Sequence, residues 1–570
     1  MNKIFHILFL SFFVLSCSPD NDEPTIPIEG KQVEGKQVFR IDLKKLTAKN
    51  LSVGNKKNQE PAFALLSLND VNENPILTRE KVSLKKDSDS NVTAEFTLES
   101  GTYTVIEFIV IDANDVVISM APKENSALAQ FVTNPLPFDF VVPPNETKET
   151  VIENINAAGY TSVNFGYTGL SLTLPENTDF FSLTVDESIS TTTKTLNIKS
   201  ITGSTYLVDW GDGTIDEYVS TIPNSGIDNT ISHSYTQNEV YTINVSGAIE
   251  AIELLDFTST QEDNWVSNLS TINIDKLILL KSCMLYAGKL TELNTSENVA
   301  LELLGVGYND ITSLDLSNNP KLTTLFLGNN QLTELNLTQN PDIKDILVDD
   351  NLITSFDFSK NSELRGLMAR ENNLSNIDLS NNLKLEHLDI SNNTISNIDV
   401  SLNLSLIEIN VGANNLTEID LSKNTNLKRI DLYQNQISSI DISNNTILRD
   451  IYISDNLLSE IDVSNNPDLE RLIIEGNNFN SLDLTSVPKV FDLEIGNNLF
   501  EANTLDEIIY HIHEQATLNS ITNGYMDFKN NPGFDGISNA SLIRINELIS
   551  SYNWFFNNNN YRHNSIVKNY

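Results

Sequence analysis

The sequence predicts a mostly β chain, in which two β domains precede a solenoid of short repeats closed by a helical cap. Three observations lead to this prediction. Short alternating apolar runs fill the N-terminal part, a 21-residue period fills the C-terminal part, and two helix-like segments follow Phe500. The expected units are residues 1–16 as a signal peptide, 17–35 as an anchor and tether, 36–155 as a β-sandwich, 178–248 as a second β domain, 249–500 as the solenoid and 501–570 as the cap.

Composition excludes one large class of partner. The 570 residues include 36 basic and 77 acidic side chains, which gives a formal net charge of −41. A surface this negative repels phosphate backbones, so we expect no nucleic-acid partner. With 40% hydrophobic and only 20% charged residues, the chain is expected to fold.

The N-terminus has the pattern of an export signal. Residues 1–16 contain one lysine followed by an apolar run of about a dozen residues, the length of a signal peptide. Val14-Leu15-Ser16-Cys17 resembles a bacterial lipobox, which implies cleavage before Cys17 and acylation of that cysteine. Several acyl chains would give a stable membrane anchor. The alternative is an ordinary signal peptide with an incidental cysteine.

An acidic stretch follows the cysteine at once. Ser18-Pro19-Asp20-Asn21-Asp22-Glu23 resembles the export signal of Bacteroidetes surface lipoproteins. That resemblance implies a lipid-anchored, outward-facing protein of the outer membrane. We expect contact with the membrane through the lipid anchor only, because no later apolar stretch approaches the length of a transmembrane helix.

The pattern of short apolar runs in residues 36–155 predicts an antiparallel β-sandwich. Val92–Leu98, Tyr103–Asp112 and Val116–Met120 are rich in β-branched and aromatic residues and are separated by polar turns. Nothing in them points to catalysis. A spacer is the favoured interpretation, and a ligand-binding sandwich is the alternative.

The second β domain contains a recognisable motif. Trp210-Gly211-Asp212-Gly213-Thr214 is followed by His233-Ser234-Tyr235 and by Tyr241-Thr242-Ile243-Asn244-Val245. These residues resemble the PKD-type immunoglobulin-like domain. We expect Trp210 and Tyr235 to be core residues and Asp212 to be a turn residue.

The strongest signal is the 21-residue repeat. Leu325-x-Leu327-x-x-Asn330 recurs without insertion through Leu493-x-Ile495-x-x-Asn498, and about eleven copies are counted when Cys283 opens a degenerate first copy. This is the pattern of a leucine-rich repeat. Cys283 occupies a leucine position, so we expect a buried thiol that forms no disulfide.

A second half-motif lies between the copies, as in Ile377-Asp378-Leu379-x-x-Asn382. Each asparagine amide is expected to satisfy turn backbone groups that lack a ladder partner. The recurring aspartates are expected to accept hydrogen bonds from nearby hydroxyls and turn amides. The alternative is that calcium offsets the repulsion between the stacked carboxylates; no cofactor or metal site is otherwise expected.

The order of signal, PKD-like domain, repeats and helical cap resembles the BspA-like leucine-rich-repeat surface proteins of Bacteroidetes, and the repeat is also similar to that of internalin-type adhesins. This resemblance covers residues 179–570 and implies adhesion or protein recognition, by analogy only.

The outward column of the concave face offers a candidate site. Its apolar triplet and a second apolar step stand near charged residues, a pattern typical of protein interfaces. The candidate ligand-binding residues are Phe326, Leu347, Met368, Arg370, His387, Tyr433, Tyr452 and Ile473. The alternative is that these residues are incidental or are packed by adjacent coils.

We therefore expect a binding or adhesion protein, and no enzyme, since no nucleophile elbow, phosphate loop or metal-spaced cluster is present. Its partner is expected to be an extracellular protein or a polysaccharide, and the chain itself a monomer. Two alternatives stay open: a glycan-binding lipoprotein of a polysaccharide-uptake system, and a structural envelope component without a specific ligand.

Overall fold

The computed structural model describes residues 33–44, 60–88, 90–157, 160, 162–168, 170, 172, 179–220, 230–260 and 264–556. The predicted signal peptide, the predicted acylation site Cys17 and nearly all of the predicted tether lie outside these residues. In the described part of the chain, no helix is long and apolar enough to cross a bilayer. Short 3-10 turns occur at Ala129–Phe131, Ser162–Phe165, Ile249–Ala251 and Phe534–Gly536.

The first unit is one closed sheet. Its strands are β1 (Glu34–Lys44), β2 (Phe63–Asp70), β3 (Pro75–Asp87), β4 (Ser90–Thr93), β5 (Phe96–Glu99), β6 (Gly101–Ile111), β7 (Val117–Met120), β8 (Phe138–Val142) and β9 (Thr147–Asn156). Strand β2 pairs with both β3 and β6, so the order β2-β3-β4-β1-β9-β7-β6 returns to β2. Strands β5 and β8 pair with β1 and β6, respectively.

This barrel-like sheet differs from the expected antiparallel sandwich in two ways. The sheet closes on itself, because β2 pairs with both β3 and β6. The run Ala64–Leu68 is buried throughout, since the two faces of β2 pack against separate apolar clusters. In addition, β1 and β9 are parallel. Strand β1 begins at Glu34, which is two residues inside the predicted tether.

The second unit has two sheets around a common core. Its strands are β10 (Phe180–Asp186), β11 (Thr193–Lys199), β12 (Thr205–Asp209), β13 (Ile215–Val219), β14 (Thr230–Ser234), β15 (Val240–Gly247), β16 (Leu254–Ser259) and β17 (Leu269–Ile272). One sheet has the order β13-β12-β15-β10-β17, and the other begins β14-β11-β16.

The motif residues of this unit lie where the sequence predicts. Trp210 and Tyr235 are buried, and the Tyr235 hydroxyl donates to the Trp210 carbonyl at 2.8 Å. The carboxylate of Asp212 accepts the Thr214 amide at 2.9 Å, so Asp212 is a turn residue. The specific PKD assignment remains a prediction.

The solenoid follows with strict periodicity. Across residues 264–556, which are described without a gap, eleven three-residue strands start 21 residues apart. They are β18 (Ser282–Met284), β19 (Leu303–Gly305), β20 (Thr324–Phe326), β21 (Asp345–Leu347), β22 (Gly366–Met368), β23 (His387–Asp389), β24 (Glu408–Asn410), β25 (Arg429–Asp431), β26 (Asp450–Tyr452), β27 (Arg471–Ile473) and β28 (Asp492–Glu494). Each pairs in parallel and in register with the next, and β18 pairs with β16 of the second unit.

The alternate residues of these strands form a continuous core. The thiol of Cys283 lies fully buried in the leucine column, which confirms the expected free thiol. Burial raises its pKa to about 12. Each apolar side chain in the column contributes roughly 1.5–3 kcal/mol by leaving water.

Two asparagine columns satisfy the backbone of the turns. In the first column, Asn414 donates to the carbonyls of Ile390, Val411 and Gly412 and accepts the amide of Ile395. In the second column, the amide group of each asparagine donates to two carbonyls of the preceding coil. Most side-chain oxygens of this column are buried without a partner among the described residues: those of Asn298, Asn340, Asn361, Asn382, Asn403, Asn424, Asn445 and Asn466. The expected role therefore holds fully for the first column and for the donors of the second.

The repeat continues beyond Phe500, where the sequence suggests that it stops. Strand β29 (Tyr525–Asp527) pairs in parallel with β28, and β30 (Phe555–Phe556) pairs with β29. Asn531 occupies the place of a first-column asparagine, and its side-chain oxygen accepts a hydrogen bond from the Phe500 amide at 3.1 Å. The helices α1 (Ala502–Asn519) and α2 (Asn539–Tyr552) confirm the helical cap, and α1 lengthens the return segment so that the period is hidden.

The two asparagine columns predict unequal costs of truncation. Asn414→Ala leaves three carbonyls and one amide without their partner, whereas Asn424→Ala leaves two carbonyls, of Val400 and Asn403. We expect Asn414→Ala to lower the free energy of unfolding by about 2–4 kcal/mol and Asn424→Ala by about 1–2 kcal/mol. Urea unfolding of the two variants checks this. Equal losses would show that the unpartnered oxygen of Asn424 is satisfied in some other way.

Candidate functional site

The short strands of the solenoid expose one face to solvent, which we call the strand face. The sequence predicts it to be the concave face. Phe326, Leu347 and Met368 are aligned across three adjacent strands, and each is half-buried. We call these three residues the apolar row. The structure thus brings the predicted triplet together as one continuous patch.

Glycines lie beside the apolar row, and neighbouring side chains fill the space over two of them. Gly305 lies opposite Phe326 on the adjacent strand β19, and Gly366 precedes Met368 by two residues on β22. A Cβ atom at Gly305 would meet the Tyr286 hydroxyl and the Met284 sulfur, and a Cβ atom at Gly366 would meet the Asp345 carboxylate. The row is therefore partly bordered by side chains of adjacent coils.

The charged residues predicted around the row are engaged by neighbours. Arg370 donates to Asp349 at 2.9 Å and lies 3.9 Å from a carboxylate oxygen of Asp389. His387 lies 3.6 Å from Glu408. The Asp349 carboxylate raises the pKa of Arg370, so this guanidinium stays charged. These pairs form a polar border in which the charges are largely balanced.

Tyr433 has a packing role that the sequence does not reveal. A Cβ at Gly412 would overlap the Tyr433 ring, so the ring lies across that glycine. The hydroxyl reaches the side chains of Ser391 and Asn392, and burial raises its pKa. Tyr433 is therefore partly occupied in joining neighbouring coils.

The second apolar step is not an open platform. Ile473 is only 5% exposed, which corrects its placement among the ligand-binding candidates. The Arg429 guanidinium lies 4.5 Å from the centre of the Tyr452 ring and also donates to Asp431 at 2.7 Å. Arginine side chains pack over this half of the strand face because their stems are apolar and aromatic rings attract their charge.

Two exposed aromatic residues at the edge of the face are missing from the sequence-based candidates. Trp265 and Tyr308 are 54% and 62% exposed. The segment that carries Trp265 runs beside the first coil, since the Ser267 amide donates to Ala287. Tyr286 of the first coil lies over Gly305 of the next coil. Sequence reasoning missed Trp265 because it precedes the first recognisable repeat.

The recurring aspartates act locally. Asp378, for example, accepts the Ser380 amide at 2.9 Å, and that bond lowers the pKa of its carboxyl. The same bond to the amide two residues on recurs at Asp315, Asp357, Asp399, Asp420, Asp441, Asp462 and Asp483. This confirms the expected bond to a turn amide. Among the described residues, no group of three or more His, Cys, Asp or Glu side chains is placed to hold a metal ion.

Asp431 gives the strand face a pH-dependent element. Burial raises the pKa of its carboxyl to about 6, although Arg429 opposes the shift. Because the folded chain holds this proton more tightly than the unfolded chain, the free energy of unfolding falls as pH rises from about 4 to about 6 and is level above that range. Asp431→Asn should remove this slope, an effect on the order of 2 kcal/mol, as measured by urea unfolding across the range.

Asp441→Asn is the matched control with the opposite sign. The pKa of Asp441 is lowered by the hydroxyl and amide of Ser443, so its contribution is present above about pH 4 and is lost below it. The difference between Asp441→Asn and the parent chain should therefore change only in acid. If both variants changed over the same pH range, burial of Asp431 would not explain its effect.

Comparison with known proteins finds solved structures that contain a similar solenoid, but it assigns the chain to no protein family. No family model matches the chain, and no curated protein matches it. Solved structures with a similar solenoid include an internalin, InlF, from Listeria monocytogenes (20% identity, covering 55% of this chain and 88% of that chain, TM-score 0.46). A leucine-rich-repeat protein of Leptospira interrogans is 20% identical, covering 51% of this chain and 82% of that chain, with a TM-score of 0.42.

The functional domain of InlJ from Listeria monocytogenes is 22% identical, covering 50% of this chain and 76% of that chain, with a TM-score of 0.37. Likenesses this distant say nothing about ligands. The 21-residue sequence period, the in-register parallel strands and the asparagine columns identify the C-terminal part of the chain as a leucine-rich-repeat solenoid.

Proposed function

We propose that the chain is a binding protein whose strand face recognises the surface of another protein, with the apolar row at the centre of the contact. The observation that carries this proposal is the row itself. Phe326, Leu347 and Met368 are in register and only half-buried, whereas the other apolar side chains of these strands are buried in the core. Adjacent apolar side chains that stay partly exposed mark interaction sites.

The border of the row supports a protein partner. Protein interfaces combine an apolar centre with a polar edge whose charges are paired or complementary. The Arg370–Asp349 and His387–Glu408 pairs lie in the coils that carry or follow the row. The charges of Arg370 and Asp349 balance each other, so this pair can orient a partner without leaving an unpaired charge at the border.

A second candidate function rests on Trp265 and Tyr308. Both rings are exposed at the N-terminal edge of the strand face, and Trp265 has a positive φ of 64°. A bulky residue seldom adopts that backbone conformation, and such outliers cluster at functional sites. Exposed aromatic rings are also the side chains on which sugar rings stack, so these residues favour a glycan ligand at this edge.

We also propose that Cys17 anchors the chain to the outer membrane, facing outward. The support is the sequence alone: the lipobox-like Val14–Cys17 and the acidic residues that follow it. In this arrangement the two β units separate the solenoid from the membrane and leave the strand face free to meet an extracellular ligand without chemistry.

The apolar row predicts a loss of binding on substitution. Phe326→Ser, Leu347→Ser and Met368→Ser together, in soluble residues 18–570, should weaken capture of an extracellular protein partner by at least about tenfold, the equivalent of about 1.4 kcal/mol. The measurement is a pull-down followed by titration of the captured protein. Binding that the triple variant retains would contradict the proposed site.

Leucines outside the apolar row provide a control. Leu352, Leu457 and Leu499 are each about half exposed, more than the residues of the row, and lie at the turn that follows the first asparagine column. Their replacement by serine should leave binding unchanged. A ligand found on a glycan array and lost in Trp265→Ala and Tyr308→Ala would support the glycan function instead. If no ligand binds the parent chain, the structural-envelope alternative gains.

The anchor predicts a change of location. In cells, Cys17→Ala should abolish incorporation of labelled palmitate and move the chain from the membrane fraction to the soluble fraction, because the acyl chains supply the membrane affinity. Cys283→Ala is the control, because its thiol is fully buried. Labelling that survives Cys17→Ala would exclude the lipobox interpretation.

A further inference from the structure

One flank of the solenoid lies between the second asparagine column and the short strands. On both sides of its middle, side chains of adjacent coils form ion pairs. These pairs are Glu363–Lys384 at 2.6 Å, Arg365–Glu386 at 3.0 Å, Arg449–Glu470 at 3.9 Å and Asp468–Lys489 at 2.5 Å. The pairs keep the flank polar and balanced in charge.

This pattern is interrupted in the middle of the flank. Leu383, Leu404, Ile407 and Ile447 are large aliphatic residues at positions that hold mostly proline or polar residues in the other coils, and we call them the apolar window. Leu383 and Leu404 are 56% and 55% exposed, Ile447 is 38% exposed, and Ile407 is half-buried. The positions equivalent to Leu383 and Leu404 in the other coils hold Val299, Pro320, Pro341, Ser362, Thr425, Thr446, Pro467 and Pro488.

Leu383, Leu404 and Ile407 lie on two adjacent coils, and Ile447 lies two coils further on, beyond Asn426 and Lys428. Ser405 donates to the Leu383 carbonyl at 3.2 Å, and Asn426 donates to the Leu404 carbonyl at 3.0 Å. Ile407 and Ile447 line one open cleft together with Ser405. The other coils of the repeat can be compared with this region directly. Most of them have no exposed aliphatic side chain on this flank.

The charges on either side of the window fit a second copy of this chain. Glu386, Ile407 and Lys428 lie side by side, because the Ile407 amide donates to Glu386 and the Lys428 amide donates to Ile407, both at 2.8 Å. Acid, apolar and base thus follow one another across three coils. Lys428 is exposed and makes no ion pair with any residue that the structure describes.

A two-fold axis across the flank, through Leu404 and Ile407, makes this order self-complementary. It sets Ile407 against Ile407 of the partner subunit and Leu404 against Leu404 of the partner subunit. It also sets Glu386 against Lys428 of the partner subunit, twice by symmetry. Contacts of one surface patch with its own copy are the rule in two-fold dimers.

We propose that the apolar window is the contact surface of a two-fold homodimer, in which the solenoids run antiparallel and Glu386 and Lys428 pair across the interface. This replaces the sequence-based expectation of a monomer. The dimer does not rest on the proposed binding function, because the residues of the window are not among those of the apolar row.

The first test is the mass of soluble residues 18–570 by sedimentation equilibrium over a range of concentrations. The parent chain should reach twice its monomer mass. Ile407→Glu should remain monomeric, because it places two like charges at the axis. Thr323→Glu is the matched control: Thr323 holds the equivalent position four coils earlier and is also half-buried. Thermal unfolding should confirm that both variants are folded.

Charge exchange gives the second test. Lys428→Glu and Glu386→Lys should each weaken dimerisation by about tenfold, because each sets like charges opposite one another twice. The double variant should recover the parent dimer, even though Glu386→Lys also breaks the Arg365 ion pair. A parent chain that is monomeric at all concentrations, or single exchanges without effect, would overturn the proposal.

Discussion

The hydrogen bonding of the asparagine columns is the constraint on which the solenoid depends. Each coil has only three residues in a strand, so most of its backbone groups lie in turns and have no sheet partner. Buried backbone groups must nevertheless be paired. The first column achieves this because one amide serves up to three carbonyls and one backbone N–H, as at Asn414. This bonding ties each coil to its neighbour and fixes the 21-residue period.

The second column meets the same requirement less completely. Its donors are all used, but most of its oxygens face the core without a partner among the described residues. Asn319 is the exception, since the Thr295 hydroxyl donates to it at 2.7 Å. The equivalent positions in later coils are apolar, as with Leu316 and Leu337. In the later coils, an apolar core side chain therefore stands where a hydroxyl group would donate to the asparagine oxygen.

Continuity of the sheet solves the problem of exposed edges. Strand β16 pairs with β11 on one side and with β18 on the other, so the sheet of the second unit becomes the sheet of the solenoid. At the far end β29 and β30 extend it beneath the two helices. An edge strand presents unpaired backbone groups that invite aggregation. The capping elements pair both edges of the eleven-strand solenoid, through β16 at β18 and through β29 at β28.

Side chains divide these surfaces by task. The strand face offers the apolar row at one end and arginines packed on aromatic rings at the other, as in the Arg471–Phe491 pair. The flank offers ion pairs and one apolar window. Because the backbone repeats unchanged, each departure from the repeat stands out against ten other coils. This internal comparison allows surface residues to be interpreted where whole-protein likenesses are too distant.

The repeat, its period, the buried position of Cys283 and the alignment of Phe326, Leu347 and Met368 could all be predicted from the amino-acid sequence. Strict spacing leaves one register, so residues 21 apart must be neighbours. The closure of the first sheet, the return of the repeat at Met526, the burial of Ile473 and the approach of Trp265 to the first coil became visible in the folded chain alone. These features depend on contacts between segments without a common period, so local sequence patterns do not specify them.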